Sequence, residues 1–143
     1  MKRAMAVMMV LFASGCASTY VSTDTSLSGG YSEIRLAPDA WRVVFEGNGF
    51  TERAVAEKFL LRRAAELSLE QGKRWFVLER HDQWMRQKFT ESGVITSPVN
   101  EAVVVALDAN DGHAFDAAKI IAETDQDAGG RLSEAAKKTL ASL

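Results

Sequence analysis

The residues best suited to chemistry are few, and their spacing argues against most of it. His81-Asp82 and His113, with Asp108 and Asp111 nearby in sequence, contain the side-chain types of a metal site or an acid–base pair. The two histidines stand about thirty residues apart, without the local spacing of zinc motifs. The stretch Asp108-Ala109-Asn110-Asp111-Gly112 has the opening of a calcium loop, but its glycine comes one place early. Lys119 also occupies the position that needs a bidentate Glu, so the stretch is read as a turn. No serine sits in a GxSxG elbow. Glu66 and Glu70 are spaced as i,i+4 neighbours on a helix, where a solvated ladder is the simpler reading than paired acid and base. Gly47-Asn48-Gly49 precedes a helix start but completes neither GxGxxG nor GxxxxGK[ST], so it is read as a tight strand-to-helix turn. The residues thus predict no enzyme, no metal and no cofactor.

The element that would position everything else is a long helix after Gly49. Thr51 is expected to cap it, Phe50 to staple onto Val55, Glu52 to complement its positive end, and Gly72 to terminate it after about 20 residues. At 100° per residue, Ala56, Leu60, Leu61, Ala64, Leu67 and Ser68 share one arc, and Lys58, Arg62, Glu66 and Glu70 form the opposite ladder. That pattern predicts a core side and a wet side, with Phe59 covering a core edge and Arg63 pairing with Glu66 or Glu70.

Strands flank the helix. Tyr31 to Leu36 alternates Ser32, Ile34 and Leu36 with Tyr31, Glu33 and Arg35, and the Pro38 turn leads into a second strand carrying Trp41, Val43 and Phe45 on one face. A third strand is centred on WFVLER, and EAVVVAL at 101–107 reads as a central strand, being the most continuous apolar run after residue 16. Asp116 is expected to cap a second helix with Phe115 stapled to Ile120. Leu132, Ala136, Leu140 and Leu143 give a thin stripe on a loosely held C-terminal helix. The order ββαββα predicts an α+β fold: a four-stranded, mostly antiparallel sheet in order 1-2-4-3 with two helices on one face. Such a sheet is a split β-α-β arrangement, a permuted relative of ferredoxin-like folds. The domain is expected over 31–125, with a C-terminal tail over 126–143.

Residues 83–100 carry the weakest pattern and read as a long excursion, an irregular hairpin extension being one form of it. Trp84, Met85, Arg86, Lys88 and Phe89 place large apolar and cationic groups within six residues, the composition of interface hot spots. Two readings stand: a candidate interaction surface, or a core extension beneath a long loop.

At the N-terminus, Lys2-Arg3 and an apolar run from Ala4 to Ala13 form a secretory signal, since a membrane span needs about 20 apolar residues. Cys16, the one cysteine, follows Ala13-Ser14-Gly15, and ASGC resembles a bacterial lipobox. The resemblance implies a signal peptide over 1–15 and a diacylated, N-acylated Cys16 that anchors the chain to membrane without spanning it. Ala17 stands where an aspartate would signal inner-membrane retention, so the implied destination is the outer membrane, its periplasmic face preferred over the cell surface. Residues 16–30 read as a lipidated cysteine and a flexible Ser/Thr/Gly-rich tether, about 45–50 Å long when stretched. With 17 basic and 19 acidic residues, the formal charge of −2 argues against a generic nucleic-acid binder, and loss of Lys2 and Arg3 leaves −4, which discourages adhesion to anionic lipid surfaces.

The lipobox, GYSEIRL, VVFEGNGFT, LLRRAAELSLEQG, WFVL and AVVVAL…FDAAKII together resemble a small family of uncharacterised proteobacterial envelope lipoproteins, over Gly30 to Ile121. In place of the Ser/Thr/Gly/Tyr-rich insert associated with that family, residues 83–100 here mix basic and aromatic side chains. The resemblance carries no assigned site. The expected function is a non-enzymatic envelope structural or protein-interaction module with an unknown envelope protein as partner. The alternative is a periplasmic ligand-binding or stress-sensing lipoprotein that signals to an inner-membrane partner across a long tether.

Overall fold

The computed structural model of the chain describes residues 20–23 and 29–143. The signal, Cys16 and most of the expected tether lie outside the described residues. The strands are β1 (Gly30–Ala37), β2 (Ala40–Glu46), β3 (Trp75–Thr90), β4 (Gly93–Leu107) and β5 (Phe115–Asp116), and the helices are α1 (Arg53–Glu70), α2 (Ala117–Ala128) and α3 (Glu134–Ser142). The fold is α+β, with an open antiparallel sheet in order β1-β2-β4-β3-β5. The neighbours expected for the first four strands are present. The fifth is a two-residue strand that pairs Phe115 and Asp116 with Phe76 and Trp75 at the start of α2.

Register sorts the sheet into two faces, because directly paired residues of an antiparallel ladder project to the same side. Trp41, Val43 and Phe45 of β2 pair with Val104, Ala102 and Asn100 of β4, and Phe76 of β3 pairs with Ala106; all are buried on the face that meets α1. In β1 the residues on that face are Tyr31, Glu33 and Arg35, so Ile34 and Leu36 point outward and are exposed. This reverses the usual inward placement of apolar side chains. The charged face is satisfied because α1 offers Arg63 to Glu33 and its C-cap residue Gln71 accepts from Arg35.

α1 has 18 residues and lies on the sheet, but its far side is not wet. α2 and α3 make their main contacts with α1 rather than with the sheet, forming a third layer. Two helices on one face of a sheet is therefore an incomplete description. Ala64 through Leu69 are buried all round, and Arg62 and Glu66, placed on the expected solvated ladder, are buried too. The expected tail is a helix whose Ala136 is fully buried, and its Thr139 hydroxyl donates to the Leu69 carbonyl at 2.7 Å.

The turn before α1 is held by close packing and by its own hydrogen bonds. The Thr51 hydroxyl accepts from the Asn48 amide at 3.0 Å, and the Asn48 side chain accepts from Phe50 N–H at 2.9 Å. Thr51 thus organises the turn, while Glu52 occupies the N-cap position without a side-chain cap bond. Phe50 is 73% exposed and staples nothing. A Cβ on Gly47 would come within 2.6 Å of Thr51 Cβ and 2.9 Å of Pro98 Cγ, so only glycine fits there without displacement. At α2 the expected cap is present: Asp116 accepts from Ala118 N–H at 3.1 Å. Phe115 stacks on Phe76 with centroids 5.2 Å apart.

Candidate functional site

Two regions concentrate polar and aromatic side chains, and they differ in whether anything is left over to bind. The first is a hub centred on Glu66. One carboxylate oxygen accepts from Arg62 Nε at 2.8 Å; the other accepts from Arg63 Nη1 at 2.9 Å and from the Tyr20 hydroxyl at 2.6 Å. Arg62 then reaches across to α2, donating to the Ile121 carbonyl at 3.1 Å and Thr124 Oγ1 at 3.2 Å, and to the Arg131 carbonyl at 3.2 Å beyond that helix. Its side chain is 0% exposed. Arg63 forks onto Glu33 at 2.7 and 3.1 Å and lies 4.8 Å over the Tyr31 ring.

Burial pushes the Tyr20 phenol far above the usual tyrosine range, and the neighbouring Glu66 carboxylate pushes it further. Tyr31 is raised for the same first reason. Burial works against the charge on Arg63, but the bonds to Glu33 outweigh it and hold the guanidinium more firmly protonated than usual. No buried side-chain nitrogen or oxygen among the described residues lacks a hydrogen-bond partner. The hub is therefore saturated, and its geometry serves to lock α1, α2, β1 and Tyr20 together.

Tyr20 belongs to the expected tether, yet its ring packs 4.9 Å from Tyr31 and 5.3 Å from Phe59. Main-chain bonds from Thr23 N–H to the Tyr31 carbonyl and from Tyr31 N–H to the Val21 carbonyl, each 2.8 Å, extend the docking along the start of β1. The expected tether is thus tied to the domain from Tyr20 to Thr23.

The second region is the former excursion. Residues 83–100 are not a loop: β3 has 16 residues and β4 has 15, paired from Trp75↔Leu107 to Thr90↔Gly93. β2 leaves the ladder at Glu46↔Val99, with one further bond from Gly47 N–H to the Pro98 carbonyl. Beyond that point, Met85–Thr90 and Gly93–Pro98 project as a two-stranded ribbon, whereas a sheet normally needs three strands or a packed face for independent stability. Of the forms expected for the excursion, the hairpin extension is the one present, and it is regular rather than irregular beyond the bulge between Leu78 and Arg80. The alternation Trp84, Arg86, Lys88 against Met85, Gln87, Phe89 was the available signal.

This alternation also divides the five candidate residues. Trp84, Arg86 and Lys88 face away from α1, where Trp84 is paired across the ladder with the fully buried Val99 and Arg86 forms an ion pair with Glu46. Met85 and Phe89 are on the other face. Phe89 is 78% exposed, Trp84 is 40% exposed, and Met85, Val94 and Ile95 are exposed as well. Neither a core extension nor a single patch describes them; they line both faces of one projecting ribbon. Between the ribbon and the Gly47–Phe50 turn lies an open groove of about 960 Å³, with Phe50, Val94 and Ile95 as its apolar wall and Arg86 and Lys88 at its rim.

The histidines and acidic loop do not form a site with one another. His81 Nε2 lies 3.2 Å from both Asn100 Oδ1 and Gln83 Nε2, while Asn110 and Asp111 accept from the amides of Gly112 and His113 in their own exposed loop. Among the described residues no group of three or more His, Cys, Asp or Glu is placed to hold a metal ion. No described helix is long and apolar enough to cross a membrane. Comparison of the chain with protein-family models, curated proteins and solved structures returns no match. The resemblance to envelope lipoproteins accordingly rests on the sequence stretches that carry it.

Proposed function

We propose that this chain is an outer-membrane lipoprotein, anchored through Cys16 on the periplasmic side, whose folded domain is a non-enzymatic protein-interaction module with the β3–β4 ribbon as its contact element. One observation carries the choice of element: the ribbon leaves the sheet with aromatic and aliphatic side chains exposed on both faces, whereas the polar hub at α1 is internally saturated. The order of the first four strands around α1 also fits a permuted relative of the ferredoxin-like split β-α-β unit, with β5 added beside β3.

Docking of Tyr20 changes what the anchor can do. Four residue steps separate Cys16 from Tyr20, a reach of at most about 14 Å, against about 45–50 Å for a tether running freely to Gly30. A lipidated Cys16 would hold the domain against the membrane that carries it, which favours partners in the same membrane over a long-range signal to the inner membrane. The Cys16→Ser variant should lose incorporation of a fatty-acid probe in growing cells; undiminished label would remove the anchor from the account.

The groove beside Phe50 favours a second reading, a ligand-binding lipoprotein, because its apolar wall and the adjacent Arg86 and Lys88 suit an anionic amphiphile. Phe50→Ser separates the two readings. A ligand site loses affinity for a fluorescent fatty acid, whereas the ribbon's contact with a protein partner is kept.

A further inference from the structure

The five ribbon residues singled out by sequence lie on two different faces, but they share one feature, the outer edge of β3. β5 covers that edge only at Trp75 and Phe76. From Val77 to Thr90 it carries no ladder partner among the described residues, and no other described main-chain bond reaches it. The opposite edge of the sheet is partly closed by Ser22, which bridges to Tyr31. Natural edges of such length are blunted by bulges, charges or covering segments. Here the bulge between Leu78 and Arg80 protects only the inner end. The outer part, Arg80 to Thr90, is regular and ends in the exposed tip.

We infer that this edge pairs antiparallel with the same edge of a second copy of the chain, joining two five-stranded sheets into one. The inference rests on the reading of the ribbon as the contact element and names its partner. Geometry limits the register severely. In an antiparallel pair, residues whose amides point outward must face each other, so a two-fold axis between identical edges passes through a residue position and never between two. A centre at Asp82 or Arg86 sets like charges on the axis. A centre at Gln83 opposes Arg80 with Arg86 of the other copy; at Trp84, Arg80 with Lys88; at Gln87, Arg86 with Lys88.

A centre at Met85 opposes none and pairs the whole run from Arg80 to Thr90, whereas centres at His81 or Phe89, which also avoid like charges, pair only one end of it. It sets Asp82 against Lys88 twice, Trp84 against Arg86 twice, Gln83 against Gln87, and Met85 against itself. Lys88 forms no ion pair among the described residues of a single copy, and Asp82 pairs only with its own neighbour Arg80. The shared edge therefore brings in a cation lacking an ion-pair partner and allows an aromatic–guanidinium contact. It also satisfies main-chain donors and acceptors along the free edge, the recognition mode of added strands. The two-fold stands perpendicular to the joined sheet, so α1 and the docked Tyr20 of both copies lie on the same side. Two anchors on one membrane are compatible with that arrangement.

The test is charge reversal on the full chain in mild non-ionic detergent, read by sedimentation equilibrium. Wild type forms a reversible dimer. Asp82→Lys places lysines together at two symmetric positions and weakens dimerisation by about tenfold or more, most strongly at low salt. Lys88→Asp weakens it similarly, and the double variant restores it. A chain that stays monomeric over the accessible concentration range overturns the inference, as does a dimer indifferent to both single reversals. If the chain is monomeric while ribbon positions still cross-link to a different protein in cells, the second-copy partner is wrong and the ribbon remains the contact element. If the ribbon captures neither itself nor another protein, both conclusions fall.

Discussion

The hub around Glu66 and the β3–β4 ribbon have similar compositions and opposite fates. Each combines arginine, acidic groups and aromatic rings within a short distance. In the hub, Arg62 and Arg63 have every strong interaction supplied by the chain itself: carboxylates from Glu33 and Glu66, carbonyls from Ile121 and Arg131, and rings from Tyr20 and Tyr31. In the ribbon, among the described residues, Arg86 is the one cation paired to the sheet, through Glu46, and the Phe89 ring stands in solvent with Trp84 half covered. What separates them is coverage by neighbouring elements. Charge and aromaticity become structure where a third layer closes over them and remain available for binding where the chain extends past its neighbours.

Substitution inside the hub is the harshest way to probe the contrast. Arg62→Ala should destabilise the fold by about 3–5 kcal/mol, because it strips a buried carboxylate and two carbonyls of donors and opens space between α1 and α2. Leu60→Ala, two residues and about 200° away on α1, should cost about 2–5 kcal/mol. Denaturant melts of the full chain compare them; a loss below about 1 kcal/mol for Arg62→Ala would mean that this side of α1 is open to solvent after all.

A smaller effect is expected at the edge of the hub. Tyr20→Phe removes a hydroxyl bonded to the buried Glu66 and should cost about 1.5–3 kcal/mol. The phenol also sets an alkaline limit. Its folded-state pKa is raised, so its contribution is complete below the ordinary tyrosine value of about 10 and diminishes as pH rises above it, where the unfolded chain ionises first. Both tyrosines of the chain are shifted upward. A phenolate titration of the native protein should show Tyr20 ionising only on alkaline unfolding and Tyr31 ionising above the ordinary midpoint. Ordinary titration of both tyrosines, or of the one that remains in a Tyr31→Phe variant, would release Tyr20 from the hub.

The ribbon should tolerate the most. Trp84→Ala should cost about 1 kcal/mol, since the ring is partly exposed although it is paired with Val99, and Phe89→Ala under about 0.5 kcal/mol. A loss of about 3 kcal/mol at either position would make the ribbon part of the core and remove the comparison.

How legible these regions were follows from the range of the interactions that build them. The Asp116 cap, the Pro38 hairpin, the start of β3 and the order of the first four strands follow from local chemistry and strand patterning, and the structure contains them. Arg62 was misplaced because an i,i+4 ladder indicates which residues share a side of a helix, not whether another helix covers that side. α2 and α3 cover it through contacts some sixty residues distant in sequence. β1 illustrates the same limit: its outward Ile34 and inward Glu33 make sense only with Arg63 in place. Residues 83–90 alternate as a strand does, but with large apolar and cationic side chains on both faces the alternation marks no buried side, so a hairpin extension was only one form the excursion could take. That the five candidate residues share an edge rather than a face needed the register with β4. The Cys16 reading rests on adjacent residues alone and lies outside the described residues.

In the proposed function the ribbon makes the contact and the hub does not. Site-specific photo-cross-linking in intact cells tests it most directly, with a photoreactive residue replacing Phe89 on the ribbon or, as a control remote from it, Lys119 on the exposed face of α2. A discrete covalent product is expected from position 89, of dimer mass if the partner is a second copy, and none from position 119. A product from position 119 with none from position 89 would contradict it.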